Sequence, residues 1–514
     1  MRYAGSGLKA GLFLILAFLP LLDGAVQGQP GGIPQASDNY FTSADAQLQQ
    51  KLALRPNTNR AKNVILFVGD GMSIPTITAT RIYAGQKKGI DGVSNKLTME
   101  NFPYAALSRT YSHNSQVTDS APSAVAMTTG VKTINDVIGV NQKVRRRDCA
   151  SARGNSLLTI FEMAEMAGLS TGVVTTTRIT HATPASAYAH TPFRDWEADS
   201  DMTAKDRSEG CTDIASQLVS WPHGDGFEVI LGGGRGKLQP TTTADPEYPH
   251  QRGERADGRD LVAEWQKRYN NSAYVWNKAA FDNVDLAKTG HLMGLFERSD
   301  MNFETDRAKD GAGEPSLAEM TTKAIAMLRR NGEGFILLVE GGRIDHAHHA
   351  NNAARALEEA VALDAAIAAA VAATDPADTL IVVTADHAHT LGIQGYPKRD
   401  NPILGLVVDV EGKIARASDG KPYTTLSYAN GPGAVSGPGG QMGARADLTN
   451  TDTKGIDFVQ QSALPLGSET HGGDDVAIFA TGPFAHLFTG VVDENFIFHA
   501  IAHASQIPAR ARLK

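Results

Sequence analysis

A chain of 514 residues with 42% hydrophobic and 20% charged residues, 51 Gly and 23 Pro has the composition of a globular protein, long enough to bury a large core in one α/β domain with insertions. Its formal charge of -8 excludes a protein that works mainly by coating nucleic acid, because such proteins present a basic face to phosphates. A small anionic substrate stays open, since it meets the local field of metals and arginines rather than the global sum.

At the start, Arg2 and Lys9 precede an apolar run from Ala10 to Leu22 that is short for a membrane span, so residues 1–28 read as a secretory signal. An uncleaved anchor is the bland alternative. Export to the periplasm or the extracellular space is therefore expected, with no stable transmembrane segment after processing. Residues 29–61 are a polar extension with a weakly helical patch around Ala44 to Leu54, expected to lie on the body or on a partner subunit. The main domain is expected over 62–503, with a tail over 504–514.

In "NVILFVGDGM" five consecutive apolar residues follow Asn63 and lead into Asp70 and Gly71, as in a buried parallel strand that ends at the carboxyl edge of a sheet. "TGVVTTTRI", "FEVILGGG", "GFILLVEGGRIDHAHH" and "DTLIVVTADHAHT" have the same form. The stretches "SLLTIFEMAEMAG", "SLAEMTTKAIAMLRR" and "NNAARALEEAVALDAAIAAAVAAT" read as helices between several of them. The expected fold is α/β, a large, mostly parallel central sheet flanked by helices that carries its site on the strand ends. From about 402 to 456 the rhythm breaks into Gly, Pro and short alternating pieces, an insertion of loops and small strands, before "DVAIFATGP" restores a strand. No internal repeat is visible.

"VTDSAPSAVAMTTG" places Ser120 before a run of small residues. The bland reading makes Ser120 a helix N-cap. The sharper one makes it an attacking oxygen, and the two are compatible, because the N–H groups and dipole at a helix start favour an anion beside it.

Four strand ends carry ligand chemistry: Asp70; Glu340, Asp345, His346, His348 and His349; Asp386, His387 and His389; and His471. Any one of them alone reads as solvated surface. Directly after apolar strand cores, however, carboxylates must be paired or coordinate a cation. Mixed imidazole and carboxylate sets suit zinc, and oxygen-only sets suit magnesium. The two cysteines, Cys149 and Cys211, read as a disulfide in an exported chain, with two free buried thiols as the alternative.

"NVILFVGDGM", "VTDSAPSAVAMTTG", "VEGGRIDHAHH", "TADHAHT" and "ETHGGDD" resemble, in order, the signature blocks of the alkaline phosphatases over nearly everything from Asn63 to His503. The resemblance implies a phosphomonoesterase working through a phosphoserine intermediate, with two Zn2+ and one Mg2+ per subunit, small phosphate monoesters as substrates, and a homodimer. It implies Ser120 as nucleophile and Arg194 as phosphate ligand. One zinc falls to Asp345, His349 and His471, the second to Asp70, Asp386 and His387, and magnesium to Asp70, Thr183 and Glu340. His348 and His389 receive no ligand role and read as neighbours or solvent-facing residues.

At two positions where the enterobacterial form has aspartate and lysine, this chain has His181 and His346, resembling the animal and marine-bacterial forms. Either histidine also reads as a packed residue without a special role. Cys149 and Cys211 fall where the animal enzymes have a disulfide. "DPEYP", "LMGLFERSDMNFE" and "GEPSL" resemble their calcium site, implying Glu247, the backbone oxygen of Phe296, Glu297 and Glu314, the last replacing an aspartate. Diesterases of the wider superfamily present threonine as nucleophile and sulfatases a modified cysteine, so Ser120 with Arg194 favours monoesters. An idle phosphate-binding or metal-storage module is the alternative from a different class.

Overall fold

The computed structural model describes residues 32–437 and 443–511, so the expected signal over 1–28 lies outside the described residues. Two compact units separate between Arg55 and Pro56. In the first, the weakly helical patch is part of a helix, Asn39–Ala53, whose start is capped by Asp38 accepting from the Tyr40 amide at 2.8 Å.

In the second unit the apolar runs become β1 (Asn63–Gly69), β2 (Tyr104–Arg109), β3 (Ser170–Arg178), β4 (Val229–Gly233), β5 (Ser272–Val275), β6 (His291–Leu295), β7 (Phe335–Gly341) and β8 (Thr379–Thr384). Short strands follow: β9 (Ala388–His389), β10 (Leu391–Ile393), β11 (Leu426–Gly431), β12 (Ser462–Pro465) and β13 (His471–Gly472), then β14 (Val476–Thr481) and β15 (Gly490–Asp493). Ten of them form one sheet in the order β15-β2-β14-β8-β1-β7-β3-β4-β6-β5. Every neighbouring pair in it is parallel except the two made by β14, the single reversed strand.

Alternation along β1 feeds two cores. Val64, Leu66 and Val68 face one side with Ile160, Phe161, Ile497 and Ile501, while Ile65 and Phe67 face the other with Leu317, Ile325, Leu363 and Ile367. Burying each such side chain contributes about 1.5–3 kcal/mol. That surplus lets the strand ends carry carboxylates that the protein itself does not pair.

The strands absent from the sequence reading are β2 and β15 at one side of the large sheet and β6 and β5 at the other. Three of the four are only partly buried, which dilutes their apolar pattern, and β6 is interrupted by His291 and Gly294. The insertion is present as a separate three-stranded sheet, β10-β11-β12. Its first and last strands lie outside 402–456, and within that range β11 is accompanied by isolated bridges such as Val408 with Ile414 and Arg416 with Pro422. Cys149 and Cys211 are joined in a disulfide.

Candidate metal centre and nucleophile

Register brings the site together. Val68 of β1 stands opposite Glu340 of β7 on one side and Thr384 of β8 on the other, so Asp70, Glu340 and Asp386 emerge side by side at the carboxyl edge. Gly71 completes the turn at φ +67°, where a Cβ would stand 2.3 Å from the His389 ring. Its amide and that of His387 both donate to Asp386 Oδ1, at 3.0 and 2.9 Å.

Three groups of ligand-type side chains result, each with its ligand atoms within 4.8 Å of one another: Asp345, His349, His389 and His471; Asp70, Asp386 and His387; and Asp70, His181 and Glu340. Thr183 lies against Glu340. The sets expected from the sequence are thus brought together, with His389 and His181 added.

These donors fit cations. Both oxygens of Asp70, Oδ2 of Asp386 and Oε1 of Glu340 are buried and have no hydrogen-bond partner among the described residues. Unpaired buried carboxylates are strongly disfavoured unless protonated or metal-bound. Accordingly, burial and then the charges of Asp386, Asp345 and Glu340 push the Asp70 carboxyl well above its ordinary range. Burial drives Glu340 up to about 7, although Thr175 and Thr177 both donate to it. Asp345 goes the other way. Burial opposes its ionisation, but the hydrogen bond from His389 and the charge of that ring outweigh it and hold Asp345 well below the carboxylate range.

His348 and His389 are buried, so neither faces solvent. His389 sits between Asp345, 2.6 Å from Nε2, and Glu469, which its Nδ1 meets. His348 links Thr76 Oγ1 at 3.0 Å to the Tyr428 hydroxyl at 2.8 Å, tying the insertion to the centre.

Ser120 is the first residue of the helix Ser120–Thr129, and Asp119 is its cap, so the capping reading of Ser120 is corrected by one position. The reason is that the Asp119 side chain accepts from the Ala121 amide at 2.8 Å. Ser120 Oγ is thereby left free for His387 Nε2, 3.2 Å away. Asp119 also accepts from Arg194 Nη1 at 2.5 Å, and Arg194 Nη2 donates to His181 Nε2 at 3.0 Å. Of five guanidinium donors three remain for a ligand.

A fourth group joins Glu247, Glu297 and Asp310, not Glu314. Glu314 is buried nearby and accepts from the Asn302 amide at 2.9 Å through Oε1, while its Oε2 has no hydrogen-bond partner among the described residues. Phe296, one residue before Glu297, is fully buried. Sequence reasoning missed Asp119, Glu469 and Asp310. Asp119 was visible beside Ser120, whereas nothing ranks Glu469 above Asp474 or Asp475 until the loops are placed.

A family model described as alkaline phosphatase matches residues 61–507. The chain is similar to the alkaline phosphatase of Gadus morhua, 45% identical over 470 residues, covering 90% of this chain and 96% of that protein. It is also similar to the tissue-nonspecific alkaline phosphatase isozyme of Homo sapiens, 43% identical over 508 residues, covering 97% and 93%. The solved structure of Thermus thermophilus alkaline phosphatase matches with a TM-score of 0.62 at 26% identity, covering 88% of this chain and 93% of that one. Ordered signature blocks, clustered ligands and these likenesses agree: the chain belongs to the alkaline phosphatase family.

Proposed function

We propose that Ser120 attacks the phosphorus of small phosphate monoesters and carries the phosphoryl group until water releases it, yielding inorganic phosphate and an alcohol at alkaline pH. The observation that carries this reading is the position of Ser120 Oγ, at a buried helix start and 3.2 Å from His387 Nε2, with Arg194 held next to it through Asp119. The helix start favours the phosphoserine dianion. Arg194 grips nonbridging oxygens through its fork, and Asp119 fixes the distance between that fork and the attacking oxygen.

Asp345, His349 and His471 would hold one zinc, Asp70, Asp386 and His387 a second, and Asp70, Thr183 and Glu340 a magnesium. When bound, such metals make the serine hydroxyl and a water nucleophilic at moderate pH and stabilise the leaving oxygen. His389 keeps Asp345 ionised and oriented, as outer partners of ligands do. Glu247, Glu297, Glu314 and the backbone oxygen of Phe296, with Asp310 beside them, would supply an oxygen set suited to calcium.

No helix among the described residues is long and apolar enough to cross a membrane. The Cys149–Cys211 disulfide supports an exported enzyme, periplasmic or extracellular. We further propose that it acts as a homodimer. Metal analysis combined with rates on a monoester, a diester and a sulfate ester tests the function. Metal-dependent turnover led by the monoester is expected, and a preference for diester or sulfate would contradict it.

A further inference from the structure

Arg343 opens the helix Arg343–His349, which carries Asp345 and His349, yet it belongs to none of the ligand groups above. Its Nη1 donates to His346 Nδ1 at 2.8 Å. Arginine has donors only, so that nitrogen must accept, and the single proton of a neutral imidazole then resides on Nε2.

The guanidinium is itself held in place. It stacks 3.8 Å over the Phe303 ring. Asp300 Oδ2 lies 3.8 Å from Nη1, and Arg178 grips that same carboxylate at 2.7 and 2.8 Å. On its other side the His346 ring meets His181 edge to face, with centroids 5.7 Å apart and an interplanar angle of 81°. His181 in turn accepts from Arg194. A row Arg343–His346–His181–Arg194 therefore runs through the site, and each histidine in it accepts from one arginine. His346 Nε2 has no hydrogen-bond partner among the described residues.

We infer that Arg343 is a positioning residue: by donating to His346 Nδ1 it fixes the tautomer and ring orientation that present Nε2–H to a phosphate oxygen held at Arg194. The inference rests on the phosphomonoesterase reading. Lysine keeps a donor at position 343, methionine removes it, and glutamate replaces it with an acceptor that draws the ring proton to Nδ1.

The test is competitive inhibition of a monoesterase assay by inorganic phosphate, measured on metal-loaded wild-type enzyme and on Arg343→Lys, Arg343→Met and Arg343→Glu. Losing one hydrogen bond to the charged phosphate corresponds to a rise of about ten-fold or more in the inhibition constant. That rise is expected for Arg343→Met, with at least as much for Arg343→Glu and retention within about two-fold for Arg343→Lys. Nitrogen-15 spectra, with His346 assigned by difference against His346→Asn, should show an unprotonated Nδ1 in wild type and a protonated one in Arg343→Glu.

Wild-type inhibition in Arg343→Met, or a protonated Nδ1 in wild type, would overturn the inference. If Arg343→Met fails to fold, Arg343→Lys and the spectra decide alone. Absence of monoester turnover in wild type removes the underlying reading instead, whatever the tautomer.

Discussion

His349 and His471 bring their Nε2 atoms to 3.2 Å of one another while each commits Nδ1 to a backbone carbonyl, His349 to Glu469 and His471 to Thr118. With the Nδ1 protons so engaged, two lone pairs face each other beside Asp345 Oδ1, which lies 3.3 and 3.5 Å from the two Nε2 atoms. Only a proton or a cation relieves that arrangement.

Metal removal should therefore cost both stability and turnover. Binding to the folded state alone adds about 4 kcal/mol at a free metal concentration a thousand times Kd. Calorimetry before and after chelation should show a large fall in Tm, restored by zinc together with activity. A Tm indifferent to chelator would mean that the carboxylate and histidine groups are satisfied without metal.

Arg194→Ala removes two charge-assisted hydrogen bonds to phosphate, each worth about 1.5–3 kcal/mol. We expect kcat/KM for a monoester to fall by roughly two orders of magnitude or more. The diester rate should fall less, because a diester offers one fewer charged nonbridging oxygen. Equal losses on the two substrates would leave Arg194 only a role in bracing Asp119.

These site residues were legible for a specific reason. Ser120, Asp70, Asp345, His349, Asp386, His387 and His471 each lie within a few residues of an apolar run, so chain neighbourhood and site neighbourhood coincide. Glu469 acts on His389 across 80 positions, and Asp119 meets Arg194 across 75, separations that no local pattern encodes. Asp310 joins Glu247 and Glu297 only in the folded chain, because no local pattern ranks it against Glu314, the other acid of the same loop. The central strands were read correctly because burial on both faces makes them continuously apolar, whereas the outer strands β2, β5 and β15 lose that signal to solvent.

Glu162 predicts a pH signature away from the chemistry. Its Oε1 accepts from His190 at 2.9 Å and from His223 at 3.1 Å, and its Oε2 takes the Thr159 amide in a capping box. Burial alone would raise its carboxyl, but those histidines hold it down at about 2. His190 is raised by the same pair, although burial opposes this. The carboxylate contributes stability above its unfolded value near 4.5, lost as pH falls through about 2. The imidazolium contributes below its unfolded value near 6.5, lost as pH rises through its raised folded value. Both contributions are complete only between those unfolded values. Glu162→Gln, which keeps an acceptor for Thr159, should lose about 3 kcal/mol in that window and less near pH 9. Urea unfolding at the two pH values, with an unchanged difference between them, would refute the coupling.

The disulfide closes a loop between positions 62 apart. Reducing it, or replacing both cysteines with Ala, should lower stability by about 2–4 kcal/mol. Thiol titration of unfolded native material is expected to find no free thiol, and two titratable thiols would contradict the pairing.

The nucleophilic role of Ser120 is the centre of the account, and covalent trapping tests it most directly. Enzyme quenched in acid during turnover of a monoester should carry phosphate on Ser120 by mass spectrometry, and Ser120→Ala, folded and metal-loaded, should carry none and lose several orders of magnitude in rate. Phosphate found reproducibly on another residue, or full turnover by Ser120→Ala, would contradict it.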